Sequence, residues 1–99
     1  VLPGLNFGTA AGASCSQDIL KRVTDIAHGQ SDFSVVENAR FKGGFITRNY
    51  GKPEENVHTI QLEINQSIYM SGSQTAVLDE EKCQRLRPLL RRFIEVLSA

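Results

Sequence analysis

Glu63 is the acidic side chain whose setting points to chemistry. It lies in the run Val57 to Ile68, VHTIQLEINQSI, where odd and even positions separate as the period of a strand requires. Ile60, Leu62 and Ile64 share one face, with His58 at its start. Val57, Thr59, Gln61, Glu63 and Asn65 share the other. A carboxylate in mid-strand is not there for strand propensity, which Glu slightly lowers. It is either part of a solvated outer face or aimed into a crevice, with Gln61 beside it.

The remaining candidates form no complete catalytic set. His28 and His58, the two histidines, fall in different elements, and no HExxH or paired CxxC gives a zinc-ligand spacing. No serine sits in a nucleophile elbow, and no glycine pattern matches a phosphate loop. Cys15 and Cys83 do not make a disulfide scaffold; free thiols in a reducing compartment are expected. Cys15 at a helix start is either a thiol of lowered pKa or a small packed residue.

The elements that must position Glu63 follow in order. Leu5 and Phe7 predict a short strand running into a glycine-rich loop. Ser14 to His28 is a helix with an apolar stripe of Ile19, Leu20, Val23, Ile26 and Ala27. Ser14 and Gln17 have capping-box spacing, Ser16 is the alternative cap, and Gly29 ends the helix. Phe33 to Ala39 is β-rich. It leads into Phe41 to Gly51, where Gly43 and Gly44 let the backbone turn or let another group come close. Gly51 to Asn56 reads as a turn, and a polar loop spans Ser71 to Thr75. The last helix, Asp79 to Leu97, has Asp79 as cap and a stripe of Cys83, Leu86, Leu90, Phe93 and Leu97 to cover the apolar row of the central strand. Pro88 inside it predicts a kink or break. The order β-α-β-β-α is that of a single α/β domain over residues 1–99.

Acidic and basic residues balance at 11 each over 99 residues, which argues against a general nucleic-acid or membrane-surface binder. No apolar run approaches the ~20 residues that span a bilayer. The chain does not open on a charged start and an apolar block, so no signal peptide is expected.

The string NARFKGGFITRNYG (38–51), a short Pro-containing turn, and VHTIQLEINQSIYM (57–70) together resemble the N-formylglutamate amidohydrolase family. FGTAAGASC upstream and LRPLLRRFI downstream are similar to the same family, so the resemblance covers nearly the whole chain. One departure is Asn49, where members often read histidine. The resemblance implies the C-terminal part of a carboxypeptidase-like (zinc exopeptidase-like) α/β fold, in a cytoplasmic hydrolase acting late in histidine breakdown. Its substrate would be N-formyl-L-glutamate, cleaved to formate and L-glutamate. The implied zinc ligands would precede Val1, so zinc belongs to the longer enzyme and none is expected in this chain alone. The missing N-terminal part would be its partner.

On that reading Glu63 is the general base and Arg48 the bidentate fork for a substrate carboxylate, or else a surface hairpin arginine. Gln61 orients the substrate or Glu63, or is a plain strand-surface amide. Gly43 and Gly44 shape the pocket wall, and Asn49 and Tyr50 are further substrate contacts. His58 is structural. The alternatives are a non-catalytic binding module of the same fold, or a hydrolase of another N-acyl amino acid.

Overall fold

A computed structural model describes residues 3–39, 41–72 and 77–98. Its centre is β1 (Leu5–Gly8), flanked in a three-stranded sheet by β2 (Val35–Glu37) and β3 (Gln61–Ile64). β1 and β2 are parallel, and the crossover between them carries helix α1 (Gln17–His28). Such a return needs a long connection, which a helix supplies. β3 runs antiparallel to β1 with Leu5 opposite Ile64, Asn6 opposite Glu63, Phe7 opposite Leu62 and Gly8 opposite Gln61.

That register sorts the sheet into two faces. Leu5 and Phe7, both buried, lie with Leu62 and Ile64 on the face that meets the helices. α1 contributes Leu20, Val23 and Ala27, and α3 (Glu80–Ser98) contributes Leu86, Leu89 and Phe93. The rings of Phe7 and Phe93 meet edge to face at 5.5 Å, a favoured aromatic geometry. The apolar row of β3 therefore packs toward the helices, as its alternation predicts.

Several boundaries differ from the sequence expectation. The strand is Gln61–Ile64, not the whole of Val57 to Ile68. Before it, Val57 bridges Lys52, and the Thr59 N–H donates to the Ser14 carbonyl. After it, Asn65 accepts from the Ser67 N–H and starts a 3-10 turn at Gln66–Ile68. Local side-chain bonds of this kind compete with the ladder and end it. α1 starts at Gln17, with Ser16 at the cap position but making no side-chain cap bond. The Ser16 hydroxyl instead bonds Asp18 and holds that carboxyl below its usual range. Ser14 is no capping-box residue: it is buried and its Oγ donates to the Thr59 carbonyl.

Phe41 to Gly51 contains a short helix, α2 (Phe45–Tyr50), so Arg48 is not on a hairpin. A two-stranded hairpin, β4 (Met70–Ser71) and β5 (Val77–Leu78), also precedes α3. The order β-α-β-β-α is thus corrected by one added helix and one added hairpin. Residues 73–76, which include most of the expected polar loop, lie outside the described residues, as do Val1 and Leu2. α3 begins as expected, with Asp79 Oδ1 accepting from the Lys82 N–H. It runs unbroken through Pro88, whose position is exposed, and Leu97 is exposed while Leu89 is buried.

Two glycines clamp α2. Gly43 has φ +123°, and a Cβ there would lie 2.8 Å from Thr47 Cγ2. A Cβ on Gly51 would lie 2.5 Å from both Ser14 Cβ and Thr59 Oγ1. The helix is thus held at its two ends rather than by intrinsic propensity.

Phe7→Ala should cost about 3–5 kcal/mol, whereas Leu62→Ala, on a half-buried edge strand, should cost roughly 2 kcal/mol or less. Urea denaturation of both variants checks this. Equal losses would mean that β3 is as deeply packed as β1.

Candidate active site

The opposite face of the β1–β3 ladder carries Asn6, Gly8, Gln61 and Glu63. A segment of chain crosses it. Asn6 Nδ2 donates to the Phe41 carbonyl at 2.5 Å, and the Ala10 N–H donates to the Lys42 carbonyl at 2.6 Å. Gly8 has no side chain to obstruct this crossing; a Cβ there would lie 2.8 Å from the Lys42 carbonyl carbon. The strand position opposite Gln61 is therefore empty of side chain so that backbone can lie on it.

That crossing delivers Gly44, at the start of α2, to β3. The Gly44 N–H donates to Gln61 Oε1 at 2.7 Å, and Gln61 Nε2 donates to Glu63 Oε1 at 2.6 Å. The Thr47 hydroxyl reaches the same Gln61 oxygen at 3.4 Å. Glu63 lines a pocket of about 410 Å³ together with Asn6, Phe41, Asn65 and Tyr69. This lies in the usual size range of small-molecule sites. Among the described residues no Lys or Arg lines it. Glu63 also rims a groove against α3 lined by Leu62, Ile64, Leu86, Arg87 and Leu90. Arg87 is engaged there by Glu80, through bonds of 2.6 and 3.3 Å, and holds the Glu80 carboxyl below its usual range.

Of the residues singled out from sequence, Glu63 lines the pocket and is joined through Gln61 to Gly44, with Gly43 adjacent in the chain. Gln61, Gly43 and Gly44 are not among the lining residues, so the two glycines place α2 rather than form the pocket wall. Arg48, Asn49 and Tyr50 sit exposed on α2 and none of them lines the pocket. Asn49 Nδ2 donates back to the Phe45 carbonyl at 2.9 Å, within its own helix. The Arg48 guanidinium has no hydrogen bond or ion pair among the described residues.

Asn6, Phe41 and Tyr69 were not anticipated as pocket residues. Only Asn6 left a signal: a polar residue between Leu5 and Phe7 in a strand buried throughout. Asn38, also unanticipated, holds the loop after β1. With φ +49° it accepts from the Thr9 and Ala11 N–H groups and donates to Thr9 Oγ1.

His58 is held structurally. Its Nδ1 accepts from the Ser16 N–H at 3.1 Å, which in the neutral ring leaves Nε2 as the donor toward Asn56 Oδ1. Cys15 and Cys83 are buried and free. Burial pushes the Cys15 thiol up, partly offset by the Leu20 backbone bond, so the helix start does not lower it. Among the described residues no three of His, Cys, Asp and Glu converge as a metal site, and no helix is long and apolar enough to cross a membrane.

The N-formylglutamate amidohydrolase family profile matches residues 1–70. N-formylglutamate deformylases of Pseudomonas aeruginosa and Pseudomonas putida are 40% and 38% identical over 98 residues. Each match takes in 99% of this chain and 37% of the relative, so the chain spans well under half the length of those proteins. A crystal structure of N-formylglutamate amidohydrolase from Ralstonia eutropha JMP134 has the same fold at TM-score 0.83, with 22% identity, over 98% of this chain and 34% of that one. With the profile spanning over two thirds of its length, the chain belongs to the N-formylglutamate amidohydrolase family.

Proposed function

We propose that this chain supplies the base and part of the substrate surface of a carboxypeptidase-like, cytoplasmic amidohydrolase. The reaction is hydrolysis of N-formyl-L-glutamate to formate and L-glutamate, in histidine degradation. One observation carries the reading: in a family whose relatives are deformylases, Glu63 lines a small-molecule-sized pocket and is held there by Gln61.

The chemistry assigned to Glu63 is proton transfer. As water adds to the formyl carbon, its proton passes to the carboxylate. When the C–N bond of the tetrahedral intermediate breaks, that proton goes to the departing amine of glutamate. A dicarboxylate substrate also needs cations, and among the described residues the pocket lining holds none. Arg48, one turn along α2 from Gly44, is the fork assigned to a substrate carboxylate. The zinc expected for the longer enzyme finds no ligand set among the described residues, so no step assigned to this chain passes through it.

In an active polypeptide carrying this chain, Glu63→Gln should lower kcat by roughly 10²–10⁴-fold, the usual contribution of a general base, with fold and metal content unchanged. Near-normal turnover would remove Glu63 from the chemistry. Arg48→Lys should cost more kcat/KM on N-formylglutamate than on an N-formyl amino acid lacking the side-chain carboxylate; equal losses would make Arg48 structural. The 99-residue chain, exposed to zinc and dialysed, should retain far less than one zinc per chain by elemental analysis. Stoichiometric zinc with formate release would refute the division of labour proposed here.

A further inference from the structure

The carboxamide of Gln61 has one orientation that satisfies both its neighbours. Its oxygen faces two donors, the Gly44 N–H and the Thr47 hydroxyl, while its nitrogen faces a carboxylate oxygen. Turning the amide over would set N–H against N–H at Gly44 and oxygen against oxygen at Glu63. Each end therefore fixes the other. We propose that Gln61 is a positioning residue: it sets one oxygen of Glu63 by a neutral hydrogen bond and ties that carboxylate to the docking of α2.

The consequences follow from the bonding. Glu63 Oε1 is committed to Gln61, and among the described residues Oε2 has no hydrogen-bond partner, so it is the oxygen left to meet a proton in the pocket. The donor at the far end, Gly44, is held in turn by the crossing of Lys42 over bare Gly8 and by the Gly43 bend. Any shift of α2 is thereby transmitted through one side chain to the carboxylate, in the helix that also carries Arg48. Gln suits this task by its reach. Asn is one methylene too short to span both partners, and Glu would set two carboxylates against each other.

The inference rests on Glu63 being the base, and the test separates the two. In an active polypeptide carrying this chain, Gln61→Leu should lower kcat about 10²-fold or less, the scale of misplacing a catalytic group, with KM within about 2-fold of the parent. Gln61→Glu should shift activity to lower pH, where one of the two facing carboxyls keeps a proton and can donate as the amide did. An unchanged kcat per folded molecule in Gln61→Leu, or a Gln61→Glu pH profile superimposed on the parent's, would overturn the proposal. If Glu63→Gln is active, the base assignment falls, whatever Gln61 does. NMR of the 99-residue chain tests the linkage without turnover. Gln61→Leu should weaken protection of the Gly44 amide from exchange by roughly 2- to 10-fold, the worth of one hydrogen bond. Glu63→Ala should move the Gln61 side-chain amide resonances. Failure of both changes would show that the Gly44–Gln61–Glu63 chain does not form in solution.

Discussion

Phe7 pairs with Leu62 and Asn6 with Glu63, and this register decides which side of the sheet is core and which is site. Side chains alternate along a strand, so a slip of one residue would carry Glu63 into the helix layer and Leu62 into the pocket. Both outcomes are costly: a carboxylate desolvated without a partner, and an apolar row left to water. The packing of Phe7 against Phe93 and the placement of Glu63 beside Asn6 are thus two results of one set of backbone bonds.

The site face imposes a second demand, because the Phe41–Gly44 segment has to lie directly on the sheet. Gly8 opens the space, Asn6 and the Ala10 N–H hold the crossing carbonyls, and Gly43 turns the chain at φ +123°. α2 then fits between that bend and Gly51, which is pressed against Ser14 and Thr59. Ser14 and Thr59 exchange two bonds, the Ser14 hydroxyl to the Thr59 carbonyl and the Thr59 N–H to the Ser14 carbonyl, and Thr59 Oγ1 donates to the Thr47 carbonyl. A short helix with Ile46 and Thr47 inside it has little propensity of its own, and these tertiary ties replace it.

The periodic parts of this arrangement were legible in the sequence: the two faces of β3, the stripe of α1, the Asp79 cap and the start of α3. Each rests on a repeat of two or 3.6 residues that survives without knowledge of partners. What escaped depends on contacts distant in sequence. Ser14 has capping spacing, but its hydroxyl serves Thr59, 45 residues away. FITRNY has no polar cap and carries β-branched residues, so nothing local announces a helix. Asn6 joins the pocket only through the β1–β3 register, which the sequence does not specify. In the site, the shared face of Gln61 and Glu63 was readable from their spacing, but not whether the amide bonds the carboxylate or faces solvent. The Gly44 N–H that fixes the amide was not, because it reaches β3 only by way of the crossing over Gly8.

The position of β3 beside β1 bears on how Glu63 is held. A carboxylate on a central strand would be fixed by neighbours on both sides, but among the described residues β3 has β1 on one side only. Glu63 is half-buried and is among the residues bordering both the pocket and the groove beside α3. A cation would anchor it most strongly, and Arg87 lines that groove. An arginine salt bridge, however, stabilises the ionised carboxylate and makes it a poorer proton acceptor. Arg87 is occupied by Glu80, and the group bonded to Glu63 is instead a neutral amide. Gln61 therefore restrains the carboxylate without neutralising it, the combination that the proposed role of Glu63 as a base on a half-buried strand requires.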